Sequence, residues 1–396
     1  MFEAIGRFLA PRETISANGG SERLIAALGD WGVTSGSVVI VCDRIVDELG
    51  HIRPYVDALT AQGFTVSLFT DIAGEPTAEM VDSAIAWART QRADLVIGIG
   101  GGSALDTAKL VAYSLAAGTG TEPLRGEMPS LANFPPLVLM PSTTGTGSEA
   151  TRVAMYSRGD LKVAVVCNQF VPLIALLDTA LVEHLPKAVV AATSLDALAH
   201  SVESMLSTTR NHLTKTLGTT AARTILRALP LAYHGDSSAA RGELLYASYL
   251  GGLSLNAGVV VGHSLSYAIA SRQHLSHGAG CALALPFCLA YSSGADPVNE
   301  AEIAARVLGE PSATLAELAE VAKTLTATVG LPTSLAEAGL PVAAESEVAA
   351  EIVASFPRPN SPVRLEVAGL TELLRHMRDG DLAGAFAVSY AASTGR

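Results

Sequence analysis

The sequence predicts an α/β domain over residues 1–185, followed by an all-helical domain over residues 186–396. Three observations support this. Short apolar runs alternate with amphipathic stretches in the first half, and this strand signal stops near Leu185 and Pro186. In addition, 396 residues exceed the usual size of a single hydrophobic core, so two domains are expected.

The first half contains four apolar runs that each end in a turn or polar residue: Val38–Cys42, Phe64–Phe69, Leu95–Ile99 and Leu137–Met140. Helical patterns lie between them, at Ile45–Gln62 and Ala78–Gln91. Strands separated by helices of this length indicate a parallel sheet that is covered on both faces. A further pair of runs predicts a hairpin, Val163–Val166 with Leu173–Leu177.

The second half is rich in Ala and Leu and predicts helices at Ala188–Leu206, Leu213–His234, Arg241–Ser271 and Ala279–Tyr291. Hydrophobic residues make up 49 % of the chain and charged residues 16 %. A disordered protein would show low hydrophobicity and high charge, so this class is excluded.

The formal net charge is −12, and no block of basic residues occurs. Nucleic acids and anionic membranes bind to positively charged protein surfaces, so we expect neither as a partner. The four cysteines are scattered, without a CxxC pair, and the N-terminal residues lack the pattern of a signal peptide. No apolar run approaches the ~20 residues of a membrane span. We therefore expect a soluble, cytoplasmic protein.

A glycine-rich turn joins the third apolar run to an amphipathic helix, in the segment IGIGGGSALDTAK. Gly101 and Gly102 let the backbone approach a pyrophosphate closely, and Ser103 is expected to cap the helix, whose N-terminus favours an anion. The segment is not a standard GxGxxG fingerprint. A tight turn without a ligand is the alternative.

Two further segments suggest a nucleotide site and hence a Rossmann-like, dinucleotide-binding domain. Asp43 directly follows the first run, where a carboxylate accepts hydrogen bonds from ribose hydroxyls and repels a 2′-phosphate, which favours NAD over NADP. The loop PSTTGTGSE at 141–149 offers hydroxyls and amides to a phosphate or a carboxamide. An ordinary turn aspartate and a helix-capping loop are the alternatives.

One carboxylate and three imidazoles in the helical half suggest a metal site. Asp196 and His200 are four residues apart and therefore share a helix face. His263 lies in a later helical stretch, and His277 follows beside a glycine turn. This mixed O/N set suits Fe(II) or Zn(II). A surface ion pair and ordinary core histidines are the alternatives.

The sequence resembles the iron-containing (group III) alcohol dehydrogenases over nearly its whole length. The segments that carry the resemblance are GGGSALDTAK at 100–109, PSTTGTGSEATR at 141–152, LLDTALVEHLP at 176–186, SLDALAHSVES at 194–204 and GHSLSYAIASRQHLSHGAG at 262–280, together with Lys162. The resemblance implies hydride transfer between a small alcohol or aldehyde and NAD, in a homodimer or larger homo-oligomer. It implies four metal ligands, Asp196, His200, His263 and His277, and cofactor contacts from Asp43, Gly101, Gly102, Ser103, Ser142, Thr143, Thr146 and Lys162.

The sequence departs from the family pattern at two places. Tyr267 stands where many members carry a second histidine, so a proton relay there would use a hydroxyl or water. Arg272, Gln273 and His274 precede His277 where small or apolar residues are more usual. This run either contacts an anionic or polyhydroxylated substrate or lies on the solvent rim.

Several functional alternatives remain at this stage. A reductase of a polar or anionic aldehyde is the variant within the family. A sugar-phosphate enzyme resembling dehydroquinate synthase would need a basic cluster, and a metal-free reductase of the maleylacetate type would not need the four ligands. A non-catalytic binding protein would be expected to lose the ligands or the glycine turn. This ligand set accepts Fe(II), Zn(II), Co(II) or Mn(II), and NADP is the alternative to NAD.

Overall fold

The computed structural model describes residues 7–159, 161–273, 275–339 and 345–390. Within them the chain forms two compact units. One spans Leu9–His184, and the other begins at Leu185 and also includes Arg7 and Phe8.

The first unit alternates strands and helices. Its strands are β1 (Glu13–Ala17), β2 (Gly36–Asp43), β3 (Phe64–Ile72), β4 (Leu95–Gly100), β5 (Gly126–Glu127), β6 (Leu137–Pro141), β7 (Val153–Arg158), β8 (Leu161–Val166) and β9 (Ile174–Asp178). Its helices are α1 (Ser21–Asp30), α2 (Arg44–Glu48), α3 (Arg53–Ala61), α4 (Ala78–Gln91) and α5 (Gly102–Ala117), with short 3₁₀ turns at Ser148–Ala150, Asn168–Phe170 and Thr179–Leu181.

Six of these strands form a parallel sheet in the order β1-β9-β6-β4-β2-β3. Alternate residues of β2 belong to different core clusters, Val39 and Val41 to one and Val38 and Ile40 to the other. The sheet is therefore buried on both faces, which explains why its strands are continuous apolar runs. Chain order reverses between β2 and β4, the position where open α/β sheets bind ligands at the carboxyl ends of their strands.

The structure corrects three details of the secondary structure predicted for the first unit. The hairpin is wrong: β8 pairs antiparallel with β7, while β9 enters the six-stranded sheet between β1 and β6. The helix expected over Ile45–Gln62 is broken at Gly50, whose φ of 76° favours glycine, into α2 and α3. The edge strand β1, with the polar sequence ETISA, was not predicted.

The second unit is helical throughout its described residues. Its helices are α6 (Lys187–Leu206), α7 (His212–His234), α8 (Ser238–Ser254), α9 (Val261–Gln273), α10 (His277–Ser292), α11 (Pro297–Leu308), α12 (Leu315–Thr328), α13 (Glu345–Ser355), α14 (Val367–Asp379) and α15 (Leu382–Ala387). The continuous helix predicted over Arg241–Ser271 ends at a 3₁₀ turn before Gly258, whose φ is 71°.

Helix α6 is the central helix of this unit and packs against α7, α8 and α10. It is buried from Ser194 through Leu206 without interruption, so polar residues within that stretch face protein rather than water. Asp196, His200 and Glu203 all lie there. Buried polar groups require partners, and their partners define the candidate site.

None of the described helices is, taken singly, both long and apolar enough to cross a membrane. The pair Ser238–Ala257 and Val261–Ile269 meets these criteria only in combination and is bent by 111°.

Candidate metal centre and nucleotide-binding turn

Helices α6, α9 and α10 bring one carboxylate together with three imidazoles. Asp196 Oδ1 lies 3.6 Å from Nε2 of His200, one turn later on α6. The same oxygen lies 3.6 Å from His263 Nε2 on α9 and 3.5 Å from His277 Nε2 at the start of α10. The four residues that the resemblance implied as ligands are thus adjacent.

Three of the four side chains are buried, and the fourth is partly exposed. The side chains of Asp196, His200 and His263 are 4 %, 8 % and 3 % exposed, whereas that of His277 is 32 % exposed. Asp196 Oδ1 is buried and has no hydrogen-bond partner. A buried carboxylate oxygen without a partner is costly unless a cation binds it.

The separations suit a single divalent ion. Bonds of about 2.1 Å in a tetrahedral arrangement place neighbouring ligand atoms about 3.4 Å apart. The distances from Asp196 Oδ1 to the three Nε2 atoms, 3.5 to 3.6 Å, lie close to that value. These three separations from Asp196 therefore fit the metal that the sequence suggested.

The electrostatics favour positive charge at this group. Burial alone would raise the pKa of Asp196, yet the surrounding imidazoles hold it well below its usual range. Burial lowers the pKa of His200 to about 4, so this imidazole is neutral at pH 7, as metal ligation requires. Burial also opposes protonation of His277, but Cys281 and Asp196 raise its pKa to about 10.

In the other unit, the loops that follow β2, β4 and β6 meet at the carboxyl edge of the sheet. Asp43 Oδ2 accepts a hydrogen bond from the Gly101 N–H at 2.6 Å, and Ser142 N–H donates to the Gly100 carbonyl at 2.8 Å. Burial raises the pKa of Asp43, and the Gly101 hydrogen bond partly opposes this. The three segments thus lie together at the topological switch point.

The glycine turn leaves no room for side chains. A Cβ at Gly100, where φ is 152°, would lie 2.4 Å from Asp43 Oδ2. A Cβ at Gly102 would lie 2.8 Å from Thr146 Cγ2, and one at Gly101 would lie 3.3 Å from Thr143 Cγ2. Gly101 therefore packs closely against Thr143, and Gly102 packs closely against Thr146.

Ser103 does not cap α5, contrary to expectation. The helix already begins at Gly102, its N-cap is Gly101 in an extended conformation, and no side chain caps it. Ser103 lies within the first turn, where its carbonyl accepts a hydrogen bond from Thr107 Oγ1. The N-terminal amides of α5 therefore lack a side-chain cap.

A buried polar group ties the 141–149 loop to α5. Lys109 Nζ donates to Ser148 Oγ at 2.6 Å and to the Val153 carbonyl at 2.6 Å. Asp106 accepts from Ser148 Oγ at 2.6 Å and from Met155 N at 2.9 Å. The aspartate and lysine of the GGGSALDTAK motif thus hold this loop against the glycine turn.

Lys162 lies away from these contacts. It is on β8, and its Nζ forms an ion pair with Glu75 Oε2. Its side chain is 29 % exposed.

The comparisons with known proteins agree with this geometry. A family model described as iron-containing alcohol dehydrogenase matches residues 11–179, and the model of the C-terminal part of the Fe-containing alcohol dehydrogenase family matches residues 190–377. The chain belongs to the iron-containing alcohol dehydrogenase family. The match confirms the reaction class that the resemblance implied, the oxidation of alcohols or reduction of aldehydes.

Relatives within the iron-containing alcohol dehydrogenases include enzymes named for alcohols and for aldehydes. The long-chain-alcohol dehydrogenase 1 of Geobacillus thermodenitrificans is 34 % identical over 319 residues, covering 78 % of this chain and 80 % of the relative. The sulfoacetaldehyde reductase of Bilophila wadsworthia is 30 % identical over 279 residues, covering 68 % and 71 %. The solved structure of an alcohol dehydrogenase from Oenococcus oeni superposes with a TM-score of 0.86 at 26 % identity, covering 94 % of this chain and all of that one.

The residues that depart from the iron-containing alcohol dehydrogenase pattern occupy different surroundings. The Tyr267 ring stacks on the His277 ring, with centroids 5.3 Å apart, and meets the His263 ring edge-on at 6.2 Å. The Arg272 guanidinium forms an ion pair with the Glu351 carboxylate at 2.5 Å and donates a hydrogen bond to the Ala268 carbonyl at 2.9 Å. His274 lies outside the described residues.

Sequence reasoning missed two residues at the metal centre. Glu203 is fully buried, and its Oε1 lies 2.6 Å from His263 Nδ1. Cys281 is 1 % exposed, and its Sγ lies 3.6 Å from His277 Nε2. Spacing was the available signal: Glu203 lies seven residues after Asp196 on α6, and Cys281 lies four residues after His277 on α10.

The histidines that were not assigned to the metal lie elsewhere. His184, His212 and His234 are exposed, while His51 and His376 are half-buried. His376 Nδ1 pairs with Asp381 Oδ2 at 3.0 Å.

Glu149, at the end of the 141–149 loop, provides a pH-dependent stability prediction. The residue is fully buried and neither carboxylate oxygen has a hydrogen-bond partner; burial raises its pKa from 4.5 to about 7. A raised carboxyl pKa means that the folded state binds the proton more tightly than the unfolded state. The resulting stabilisation is complete below pH 4.5 and is lost progressively as the pH rises to about 7.

We expect wild-type protein to lose about 1–3 kcal/mol more unfolding free energy between pH 5 and pH 8 than Glu149→Gln does. Urea-induced unfolding at the two pH values measures this difference, with the exposed Glu310→Gln as control. Parallel pH dependence in wild type and Glu149→Gln would contradict the assignment.

Gly102→Val tests the glycine turn. The new side chain displaces Thr146, whose Cγ2 already lies 2.8 Å from the position of a Cβ. We expect the pyrophosphate of NADH to lose about one charge-assisted hydrogen bond, which contributes about 1.5–3 kcal/mol. NADH binding should therefore weaken roughly 10- to 100-fold. Fluorescence titration with NADH measures this effect, and metal content should stay unchanged. Gly29→Val is the control, because no atom lies within 4 Å of its Cβ position; equal NADH affinity in both variants would contradict the role of the turn.

Proposed function

We propose that this protein is a metal-dependent, NAD(H)-using alcohol dehydrogenase that also reduces aldehydes. The observation that carries the proposal is the approach of one buried, otherwise unpartnered oxygen of Asp196 to three imidazole Nε2 atoms at 3.5 to 3.6 Å. Family membership supports the reaction class. We propose a small primary alcohol or aldehyde as the substrate.

In this proposal Asp196, His200, His263 and His277 hold Fe(II), with Zn(II) as the alternative. When bound, the ion polarises the oxygen of the alcohol or aldehyde and the nicotinamide carries the hydride. Glu203 fixes the His263 tautomer, because its carboxylate accepts a hydrogen bond from Nδ1–H and leaves the Nε2 lone pair free for the ion. The low exposure of Asp196, His200 and His263 keeps water away from these three ligands.

Substrate approaches from the side of His277 and Tyr267. His277 is the exposed member of the group, and Tyr267, half-buried, stacks on it. A catalytic metal site keeps one position open, and this side supplies it. We propose that the Tyr267 hydroxyl orients the substrate oxygen or passes its proton to solvent, where many relatives use a histidine.

We propose that the unit Leu9–His184 binds the nicotinamide cofactor and that the helical unit binds the metal. Within the first unit, the uncapped N-terminus of α5 offers backbone amides to the pyrophosphate. Ser142, Thr143 and Thr146 line the adjoining loop, and Lys162 is retained as a candidate phosphate contact. The Asp43 carboxylate keeps lone pairs beyond those used by Gly101 and would repel a 2′-phosphate, which favours NAD over NADP.

A second candidate substrate class is a polar or anionic aldehyde. Arg272 does not favour it, because Glu351 already neutralises this guanidinium. Arg358 does: its guanidinium carbon lies 5.6 Å from the Tyr267 ring centre, and its Nε is buried without a hydrogen-bond partner. The relative from Bilophila wadsworthia is named a sulfoacetaldehyde reductase, and its substrate would belong to this class.

We also propose a cytoplasmic location and a homodimer or larger homo-oligomer. The four cysteines are free and buried, which suits a reducing compartment. The oligomer is proposed from the family resemblance, and light scattering of the purified protein tests it.

The proposed function is tested by NADH absorbance on adding alcohols with NAD, or aldehydes with NADH, in the presence of Fe(II) or Zn(II). The panel contains short and long primary alcohols, an uncharged aldehyde and a sulfonated aldehyde. We expect metal-dependent turnover with NAD and weaker turnover with NADP. Absence of turnover across the whole panel with metal-loaded protein would refute the proposal.

A further inference from the structure

We infer that Cys281 is a ligand of the same ion as Asp196, His263 and His277, so that the site combines nitrogen, oxygen and sulfur donors. The inference rests on the proposed metal site. Neither the Asp–His spacing nor the family resemblance indicated a sulfur donor.

Helix α10 places Cys281 one turn after His277, on the same face. Its Sγ lies 3.6 Å from His277 Nε2 and 3.7 Å from His263 Nε2. For a metal–sulfur bond of about 2.3 Å and a metal–nitrogen bond of about 2.05 Å, tetrahedral geometry places S and N about 3.6 Å apart. The distances from Sγ to both imidazoles are therefore those expected between ligands of one ion.

Among the described residues, this thiol belongs to a group of four side chains whose donor atoms lie close together. Donor atoms of Asp196, His263, His277 and Cys281 all lie within 4.8 Å of one another, a set that does not include His200. A second observation is independent of the thiol: Asp196 Oδ1 is buried without a hydrogen-bond partner beside the same imidazoles. Both place a cation beside these four side chains, with His200 as the fifth, its Nε2 3.6 Å from Asp196 Oδ1.

Binding through Cys281 has a chemical consequence. The thiol gives up its proton to solvent as the sulfur–metal bond forms, and no oxidation state changes. A thiolate is a soft ligand and favours Zn(II) over metals that prefer oxygen donors, such as Mn(II). This chain should therefore retain zinc more tightly than a site of imidazoles and carboxylate alone.

Cobalt(II) substitution tests the inference, because a thiolate bound to Co(II) gives a charge-transfer absorption in the near ultraviolet. We expect this band in wild-type protein loaded with Co(II) and its loss in Cys281→Ser. Cys288→Ser is the matched control, since Cys288 is equally buried two turns further along α10. We expect the Zn(II) dissociation constant to rise at least about tenfold in Cys281→Ser only.

X-ray absorption of zinc-loaded wild-type protein tests the same point without a variant. A sulfur scatterer at about 2.3 Å is expected beside nitrogen and oxygen at about 2.0–2.1 Å. Co(II) or Zn(II) bound without a sulfur signal would overturn the role of Cys281 and leave the proposed metal site intact. Failure of wild-type protein to bind either ion would overturn both.

Discussion

Replacing His263 by alanine is expected to remove the bound divalent ion and to lower turnover by a factor of about a thousand or more. His263 Nε2 lies 3.6 Å from Asp196 Oδ1, and its ring stacks on His200 at 4.8 Å and meets His277 edge-on at 5.5 Å. The ion contributes several kcal/mol of transition-state stabilisation, and each 1.36 kcal/mol is tenfold in rate. Metal content by elemental analysis and NADH turnover measure the two effects.

The control for this substitution is His212→Ala, at an exposed position at the start of α7. It should keep both metal and turnover. Circular dichroism checks that His263→Ala remains folded. Full turnover by a folded, metal-free His263→Ala protein would show that the imidazole has no ligand role.

Glu203→Gln should weaken metal binding about 10- to 100-fold, although Glu203 touches no ion in this proposal. Its carboxylate accepts hydrogen bonds from His263 Nδ1 at 2.6 Å and from Val260 N at 2.8 Å. A glutamine can present its NH₂ group to one of these donors, which destabilises the tautomer that leaves Nε2 free. Isothermal titration of metal-free protein with Zn(II) measures the change in dissociation constant.

If Glu203 only stabilised the fold, Glu203→Gln would lower stability without changing metal affinity. Measuring both quantities therefore separates a structural role from a positioning role. Asn299→Ala is the comparison: Asn299 is buried in the same unit and donates to the Met205 carbonyl at 3.0 Å. It should lower the melting temperature without changing Zn(II) affinity. ¹⁵N chemical shifts of the His263 ring provide a direct readout of the tautomer in Glu203→Gln. Unchanged affinity and tautomer would refute the positioning role.

Much of the α/β unit could be predicted because its strands are buried on both faces. Continuous apolar runs such as Leu95–Ile99 end at glycine or polar residues, and α4 occupies the predicted residues Ala78–Gln91. Prediction failed where local sequence carries no such signal. β1 is a polar edge strand, and whether β8 pairs with β7 or β9 depends on tertiary packing rather than on the runs themselves.

The metal ligands could be predicted in part from their spacing in the sequence. A spacing of four places Asp196 and His200 on one helix face, but spacing alone does not show what α9 and α10 bring to that face. Glu203 and Cys281 stand at helical spacing from Asp196 and His277, but only the packing of α6, α9 and α10 shows that they reach the site. The helix start is ambiguous within a run of three glycines, and α5 begins at Gly102, two residues earlier than a helix capped by Ser103 would.

The central claim is that Asp196, His200, His263 and His277 hold a divalent ion on which the NAD(H)-dependent reaction depends. The most direct test is metal analysis of anaerobically purified protein, with turnover measured before chelation, after chelation and after metal is restored. We expect about one iron or zinc per chain, loss of turnover with the ion, and recovery on adding it back. Undiminished turnover by metal-free protein would contradict the claim.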